Sequence, residues 1–157
     1  MKKLVVYYSL SGNTRAVAKR IARTLRADLM VIRTVKSYPD DYDVLLSLGQ
    51  KEIRSGYMPQ IEQLPFDANR YETIVLGTPV WWSSYAPAVK KFMAGVSWKG
   101  KKVYPFATHG GDLGHTPSDL RKAMRGAQVS PVLGIRFENG TQVTPAGDVK
   151  TWVTAIE

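Results

Sequence analysis

Three short stretches of the 157-residue chain combine residue types that do chemistry. The first is Ser9-Leu10-Ser11-Gly12-Asn13-Thr14, where hydroxyls and an amide surround a glycine. Ahead of a helix, such a loop adds side-chain donors to the unpaired N–H groups and partial positive charge of the helix N-terminus, which together bind phosphate. Gly12 lets the backbone approach a ligand closely. The loop lacks the Gly-Lys-Ser/Thr of triphosphate-hydrolysing loops and the Gly-x-Gly-x-x-Gly of dinucleotide loops. The second stretch is Thr78-Pro79-Val80-Trp81-Trp82. Two adjacent indoles beside a stiffening proline suit a flat, partly apolar ring, or pack inward as core. Tyr85 either joins them or caps the following helix. The third is His109-Gly110-Gly111-Asp112-Leu113-Gly114, whose glycines free the backbone to turn N–H groups toward a ligand edge. His109 reads either as a solvent-facing loop residue or as a ligand contact and proton donor. The only other histidine, His115, flanks a helix start, and two histidines without a third ligand propose no metal site. The absence of cysteine excludes disulfides, thiol catalysis and iron–sulfur clusters.

The elements around these stretches follow from periodicity. Lys3 to Tyr8 is a continuous apolar run, the pattern of a strand buried on both faces. Residues 14–26 have a helical apolar face in Ala18, Ile21, Ala22 and Leu25, opposite a basic stripe of Arg15, Lys19, Arg23 and Arg26. Leu29 to Val35 is a second strand, and 40–55 reads as a helix through Val44, Leu45, Leu48 and Ile53. Tyr71 to Gly77, Lys102 to Thr108 and Val129 to Phe137 are the third, fourth and fifth strands. Helices are expected from Pro87 to Ala94, from a Thr116 cap to Gly126, and from Thr144 to Ile156. Alternation of strands and helices implies right-handed β-α-β units and one parallel sheet covered on both faces. In such sheets ligands bind at the carboxyl ends of the strands, at the topological switch point. The three chemical stretches follow the first, third and fourth strands.

Ser-x-Ser-Gly-Asn-Thr after the first strand resembles the phosphate loop of the flavodoxin family, and the resemblance extends over essentially the whole chain. Thr78 to Trp82 and Thr108 to Gly114 resemble that family's two isoalloxazine loops, most closely in its short-chain bacterial branch. The resemblance implies a flavodoxin-like three-layer α/β sandwich, one domain over 1–157, with a five-stranded parallel sheet in the order 2-1-3-4-5. It implies non-covalently bound FMN and electron transfer, with no catalytic side chain required. Carried onto this sequence, Ser9, Ser11, Gly12, Asn13 and Thr14 hold the phosphate. Thr78, Pro79, Val80, Trp81 and Trp82 line the ring and ribityl chain, one indole against the flavin and one partly structural. His109, Gly110, Gly111, Asp112 and Gly114 close over the ring.

The charge departs from the usual acidic flavodoxin. Twenty-two Lys and Arg against 13 Asp and Glu give a net charge of +9. A basic surface suits an acidic redox partner, anionic ligands or nucleic acid. No nucleic-acid recognition motif accompanies it, so a nucleic-acid module is a distant alternative and no nucleic acid is expected. An acidic partner surface is expected to dock on the helical basic stripe and on Lys99 to Lys102, with a less negative second one-electron potential than in acidic relatives. An NAD(P)H-dependent quinone or flavin oxidoreductase is the alternative function, because nicotinamide cofactors are anionic. A phospho-receiver of the same sheet order is excluded, because Tyr8 to Gly12 contains no acidic residue. No apolar run is long enough to span a membrane, and the composition fits a cytoplasmic protein.

Overall fold

A computed structural model of the chain describes residues 2–157. The first strand, β1 (Lys3–Tyr7), leads into helix α1 (Asn13–Leu25) and strand β2 (Asp28–Val31). Helix α2 (Tyr42–Ser55) precedes the long strand β3 (Thr73–Trp81) and a two-residue strand β4 (Ser84–Tyr85). Helix α3 (Pro87–Ala94), strand β5 (Lys102–His109) and helix α4 (Thr116–Ala123) follow. The chain closes with β6 (Gln128–Val129), β7 (Leu133–Glu138), β8 (Thr141–Gln142) and α5 (Ala146–Thr154).

The central sheet runs β2-β1-β3-β5-β7, all parallel, which is the 2-1-3-4-5 order expected from sequence. The other three strands are two-residue additions. β4 and β8 fold back antiparallel on β3 and β7, and β6 extends the pairing of β5. Alternate strand residues feed two cores, as the pleat requires. Leu4, Val6, Ile74, Leu76 and Val103 pack under α3 and α4. Val5, Tyr7, Val75, Phe106 and Ile135 pack under α1 and α5.

The fifth strand of the sequence reading is split into β6 and β7, and Pro105 supplies a reason. In a parallel strand a residue's N–H and C=O face the same neighbour, and alternate residues face alternate neighbours. Lys102 donates to Glu72 O on one side, and Val103 O accepts from Ser130 on the other. Pro105, two residues past Val103, therefore turns its missing N–H to the side where β6 stops and β7 has not begun. A proline is tolerated in a strand where no ladder bond is required.

Two further differences concern the edges of the sheet. β2 ends at Val31, four residues short of expectation, because residues 33–35 swing out. There Val35 N–H donates to Gln60 O at 2.9 Å and Glu62 N–H to Arg33 O at 2.7 Å. This neck closes an excursion that carries α2. Residues 99–101 lead into the amino end of β5, opposite the three loops. Lys101 is buried there and donates from Nζ to Asn69 O and Tyr71 O, at 3.1 and 2.5 Å. Lys102 lies 3.9 Å from Glu157. The Lys99 to Lys102 segment is thus part structural and far from the ligand end.

Candidate functional site

Loop 1, residues 8–12, ends on Gly12 at φ +101, the position that caps α1. A Cβ at Gly12 would meet nothing within 4 Å, so the left-handed backbone, and not crowding, favours glycine. Gly12 has no side chain to accept the first helical N–H groups. Ser9 reaches across instead, its Oγ accepting from Gly12 N at 3.1 Å and Arg15 N at 3.2 Å. Ser11 is exposed and Asn13 half-buried. Thr14 is buried, and its hydroxyl shares a 2.8 Å hydrogen bond with Thr108 Oγ1 at the end of β5. That bond ties loop 1 to the strand that launches the third loop.

Loop 2 is a hairpin, not the open loop expected from sequence. Val80 pairs with Tyr85 and Trp81 with Ser84, which leaves Trp82 and Ser83 as the tip. Both have positive φ, +48 and +66. This is the pattern of a type I′ turn, which Asn-Gly ordinarily supplies. Holding an indole there costs backbone energy, and such strain collects at functional sites. Trp81 sits edge-on to Tyr8 at 6.1 Å and to Tyr38 at 5.0 Å between centroids. Trp82 is 41% exposed. Thr78 is fully buried; its hydroxyl accepts from Ala86 N and donates to Pro79 O, which fixes the base of the hairpin.

Loop 3 follows β5. Asp112 Oδ1 accepts from Gly114 N at 2.9 Å, and His115 N donates to Ser83 O at 2.7 Å. Gly114 has φ +56 and abuts the hairpin tip; a Cβ there would lie 2.6 Å from Ser83 Cα. Gly110 and Gly111 are exposed and open. The three loops are therefore joined, the first to β5 through Thr14 and the second to the third through Ser83.

Helix α2 completes the site, and the sequence did not assign it there. A Cβ on Gly49 would come 3.1 Å from Trp82 Nε1 and 3.7 Å from Trp81, so a larger residue there would push the exposed Trp82 indole aside. Between α2 and the indoles runs an apolar slot of about 270 Å³, lined by Leu10, Tyr42, Leu45, Leu46 and the two tryptophans. The signal was a glycine inside a helix, which is costly without a packing reason. Glu52, also on α2, is buried, and Tyr38 donates to it at 2.7 Å. Burial followed by the Glu52 charge raises the Tyr8 phenol well above its ordinary value, and Tyr38 is raised mainly by burial.

Two buried polar atoms among the described residues have no partner, His109 Nδ1 and Thr116 Oγ1, and both border loop 3. Burial lowers the His109 pKa; Asp112 pulls it up and Arg136 pushes it down. The depressed value means that the unfolded chain binds the proton more readily below its ordinary pKa of about 6.5. Stability from this group is complete above that pH and is lost as pH falls toward the folded value. His109→Gln should therefore flatten the fall in melting temperature between pH 7 and 5. An unchanged slope would show that His109 stays equally accessible to protons in both states.

An open, doubly wound parallel sheet with its loops gathered at the strand carboxyl ends defines a ligand-binding α/β protein. A flavodoxin family model matches residues 2–156, and the chain belongs to the flavodoxin family. Among solved structures, a protein from Bacteroides uniformis with a provisional flavoprotein assignment superposes with a TM-score of 0.83 at 25% identity. That match covers 98% of this chain and 97% of the other. A Lactobacillus acidophilus flavoprotein in complex with FMN gives 0.75 at 24% identity, over 96% and 97%. Oxidised flavodoxin 1 from Bacillus cereus gives 0.56 at 20%, over 98% and 93%. Membership assigns FMN as the cofactor and electron transfer as the activity. The residues fit that group. Loop 1 offers donors and no acidic side chain to an anion, the slot offers aromatic walls to a flat ring, and the two ends of loop 3 carry unpartnered polar atoms on His109 and Thr116.

Proposed function

We propose that the chain is a one-domain electron carrier in which loop 1 holds the FMN phosphate, and the Trp81–Trp82 hairpin and loop 3 hold the ring. The gathering of loops 1, 2 and 3 at one end of the sheet, against two indoles, carries this reading. Ser11, Asn13 and the α1 N-terminus supply neutral donors, while Ser9 keeps the loop turned and Thr14 anchors it. Trp81, wedged against Tyr8 and Tyr38, is the structural indole, and exposed Trp82 is the wall that faces the ring. Gly110, Gly111 and Gly114 direct backbone N–H groups, and His109 stays neutral at neutral pH beside them. Bound FMN supplies reversible one- and two-electron chemistry. The protein orients it and excludes water.

No helix is long and apolar enough to cross a membrane among the described residues. The net charge of +9 favours a partner protein with an acidic docking surface, in the cytoplasm. Steering by such charge makes association fall steeply with salt. A carrier takes electrons from that partner, whereas the alternative, an NAD(P)H-dependent oxidoreductase, is reduced directly. Mixing the FMN-loaded chain with NADH or NADPH in a stopped-flow cell separates them, since rapid flavin bleaching belongs to the oxidoreductase.

The test of loop 1 is a fluorescence titration with FMN and riboflavin. Hydrogen bonds to a charged group are worth about 1.5–3 kcal/mol each. Ser11→Ala should weaken FMN by about tenfold and leave riboflavin nearly unchanged. Thr14 is unsuitable for this purpose, because its hydroxyl is committed to Thr108. Equal losses for both ligands would move the phosphate out of loop 1.

A further inference from the structure

The buried residues of α2 are Gly49 and Glu52. They lie three positions apart, about 5 Å along the helix. Gly49 meets both indoles and lines the apolar slot. Glu52, 6% exposed, therefore sits one turn beyond the slot. Tyr38 links it to the aromatic wall. The Tyr38 hydroxyl donates to Glu52 Oε1 at 2.7 Å, and its ring stands edge-on to Trp81 at 5.0 Å.

No cation pairs with this carboxylate among the described residues; the four ion pairs found there leave Glu52 out. Lys36 and Lys51 border the same cavity of about 440 Å³, but both are exposed to solvent. A buried, ionised carboxylate without a cation is costly. A glutamine would accept the Tyr38 hydroxyl just as well and would avoid that cost. The hydrogen bond therefore does not explain the charge. The influence of Glu52 also extends toward loop 1. Burial and then the Glu52 charge raise the phenol of Tyr8, which stands 6.1 Å from Trp81 at the entry to that loop.

A charge in this place acts on reduction. Two electrons from the partner protein and one proton from solvent convert the neutral oxidised ring into a reduced ring with one negative charge at pH 8. No bond to the protein forms or breaks. A buried anion near the ring opposes the new charge. The net charge of +9 favours it, but exposed cations are screened by salt, and a buried charge is screened much less.

We propose that Glu52 sets the reduction potential of the bound flavin, its buried charge destabilising the reduced form. The proposal rests on the ring lying against the Trp81–Trp82 hairpin, and it assigns to that site a control residue outside the three loops.

Glu52→Gln keeps the acceptor for Tyr38 and removes the charge. Potentiometric titration of the FMN-loaded chain at pH 8, with fluorescence titration of oxidised FMN, gives the ratio of the affinities for reduced and oxidised cofactor. In Glu52→Gln that ratio should rise at least tenfold, which moves the two-electron potential about 30 mV toward less negative values. The rise should be the same at low and high salt, with oxidised FMN affinity changed less than threefold. Glu52→Asp, which keeps the charge, should stay within threefold of wild type in both quantities. The carbon-13 carboxyl signal of Glu52 in the FMN-free chain should be that of an ionised group at pH 8. An unchanged ratio in Glu52→Gln overturns the proposal, as does a rise that disappears in salt, an equal rise in Glu52→Asp, or a protonated Glu52. It is overturned as well if Glu52→Gln fails to fold or loses oxidised FMN, because the carboxylate is then structural. Failure of the wild type to bind FMN is a different result, seen before any variant is made; it strikes the proposed function, and this proposal with it.

Discussion

Gly77→Ala should be among the most damaging single substitutions in the chain, lowering stability by about 3 kcal/mol. Gly77 sits in β3 between Tyr7 of β1 and Phe106 of β5. A Cβ there would come 2.8 and 2.9 Å from the two Cε atoms of the Phe106 ring and closer still to Cζ. That ring has nowhere to go. Phe106 is fully buried, beside Trp152 of α5 at 6.3 Å and in the core under α1. Interiors this dense do not absorb an extra methyl without moving backbone. For a domain of this size a kcal/mol is worth about 2–4 °C, so thermal unfolding should begin about 6–12 °C lower. The cause is separable by a double-mutant cycle. Phe106→Leu alone leaves a cavity, but in the Gly77→Ala background it relieves the clash. The double variant should thus be more stable than Gly77→Ala alone. Simple addition of the two losses would mean that the methyl and the ring do not meet. The pair also concerns function, because Thr108 and His109 leave β5 two and three residues beyond Phe106.

The parts of this arrangement that were legible from sequence are those whose signals are local. Apolar runs ending in Gly77 or in Ser9 mark strands and their exits, and hydroxyls around Gly12 mark a helix N-terminus. The sheet order came from family resemblance, and the helix-strand alternation agrees with it. What was hidden depends on distant partners. Lys101 looks like surface charge, yet it is buried because the carbonyls of Asn69 and Tyr71, some 30 residues upstream, accept from it. Glu52 spoils the apolar face of α2, yet it is buried because Tyr38 satisfies it, while Val44 on the expected face is exposed. The position of α2 over the tryptophans is set by Gly49 meeting indoles more than 30 residues away. The Trp82–Ser83 tip was hidden for another reason. Neither residue favours the left-handed region, so the turn is imposed by the β3–β4 pairing and by Ser83 O accepting from His115.

That last contact makes Gly114 the residue on which closure of the site depends most. Gly114→Ala should weaken FMN and riboflavin alike, by tenfold to a hundredfold, while the core remains folded. Two costs combine at this position. Its φ of +56 is left-handed, which costs an L-residue about 1–2 kcal/mol. The new Cβ would also lie 2.5, 2.6 and 2.8 Å from Ser83 Cβ, Cα and O. Two of those atoms are backbone, so no rotamer change relieves the overlap. The hairpin tip and loop 3 must separate, and the 2.7 Å bond from His115 N to Ser83 O is lost with them. Trp82 is next to Ser83, so the same movement draws the exposed indole off the slot. Loss of one wall contact and one loop contact, at about 1.4 kcal/mol per decade of affinity, accounts for the expected range. The pattern differs from that of Ser11→Ala, which should discriminate FMN from riboflavin because it acts on the phosphate alone. Parallel titrations of both ligands on both variants read this difference directly. Wild-type flavin affinity in Gly114→Ala, with circular dichroism unchanged, would show that loop 3 does not close over the ring.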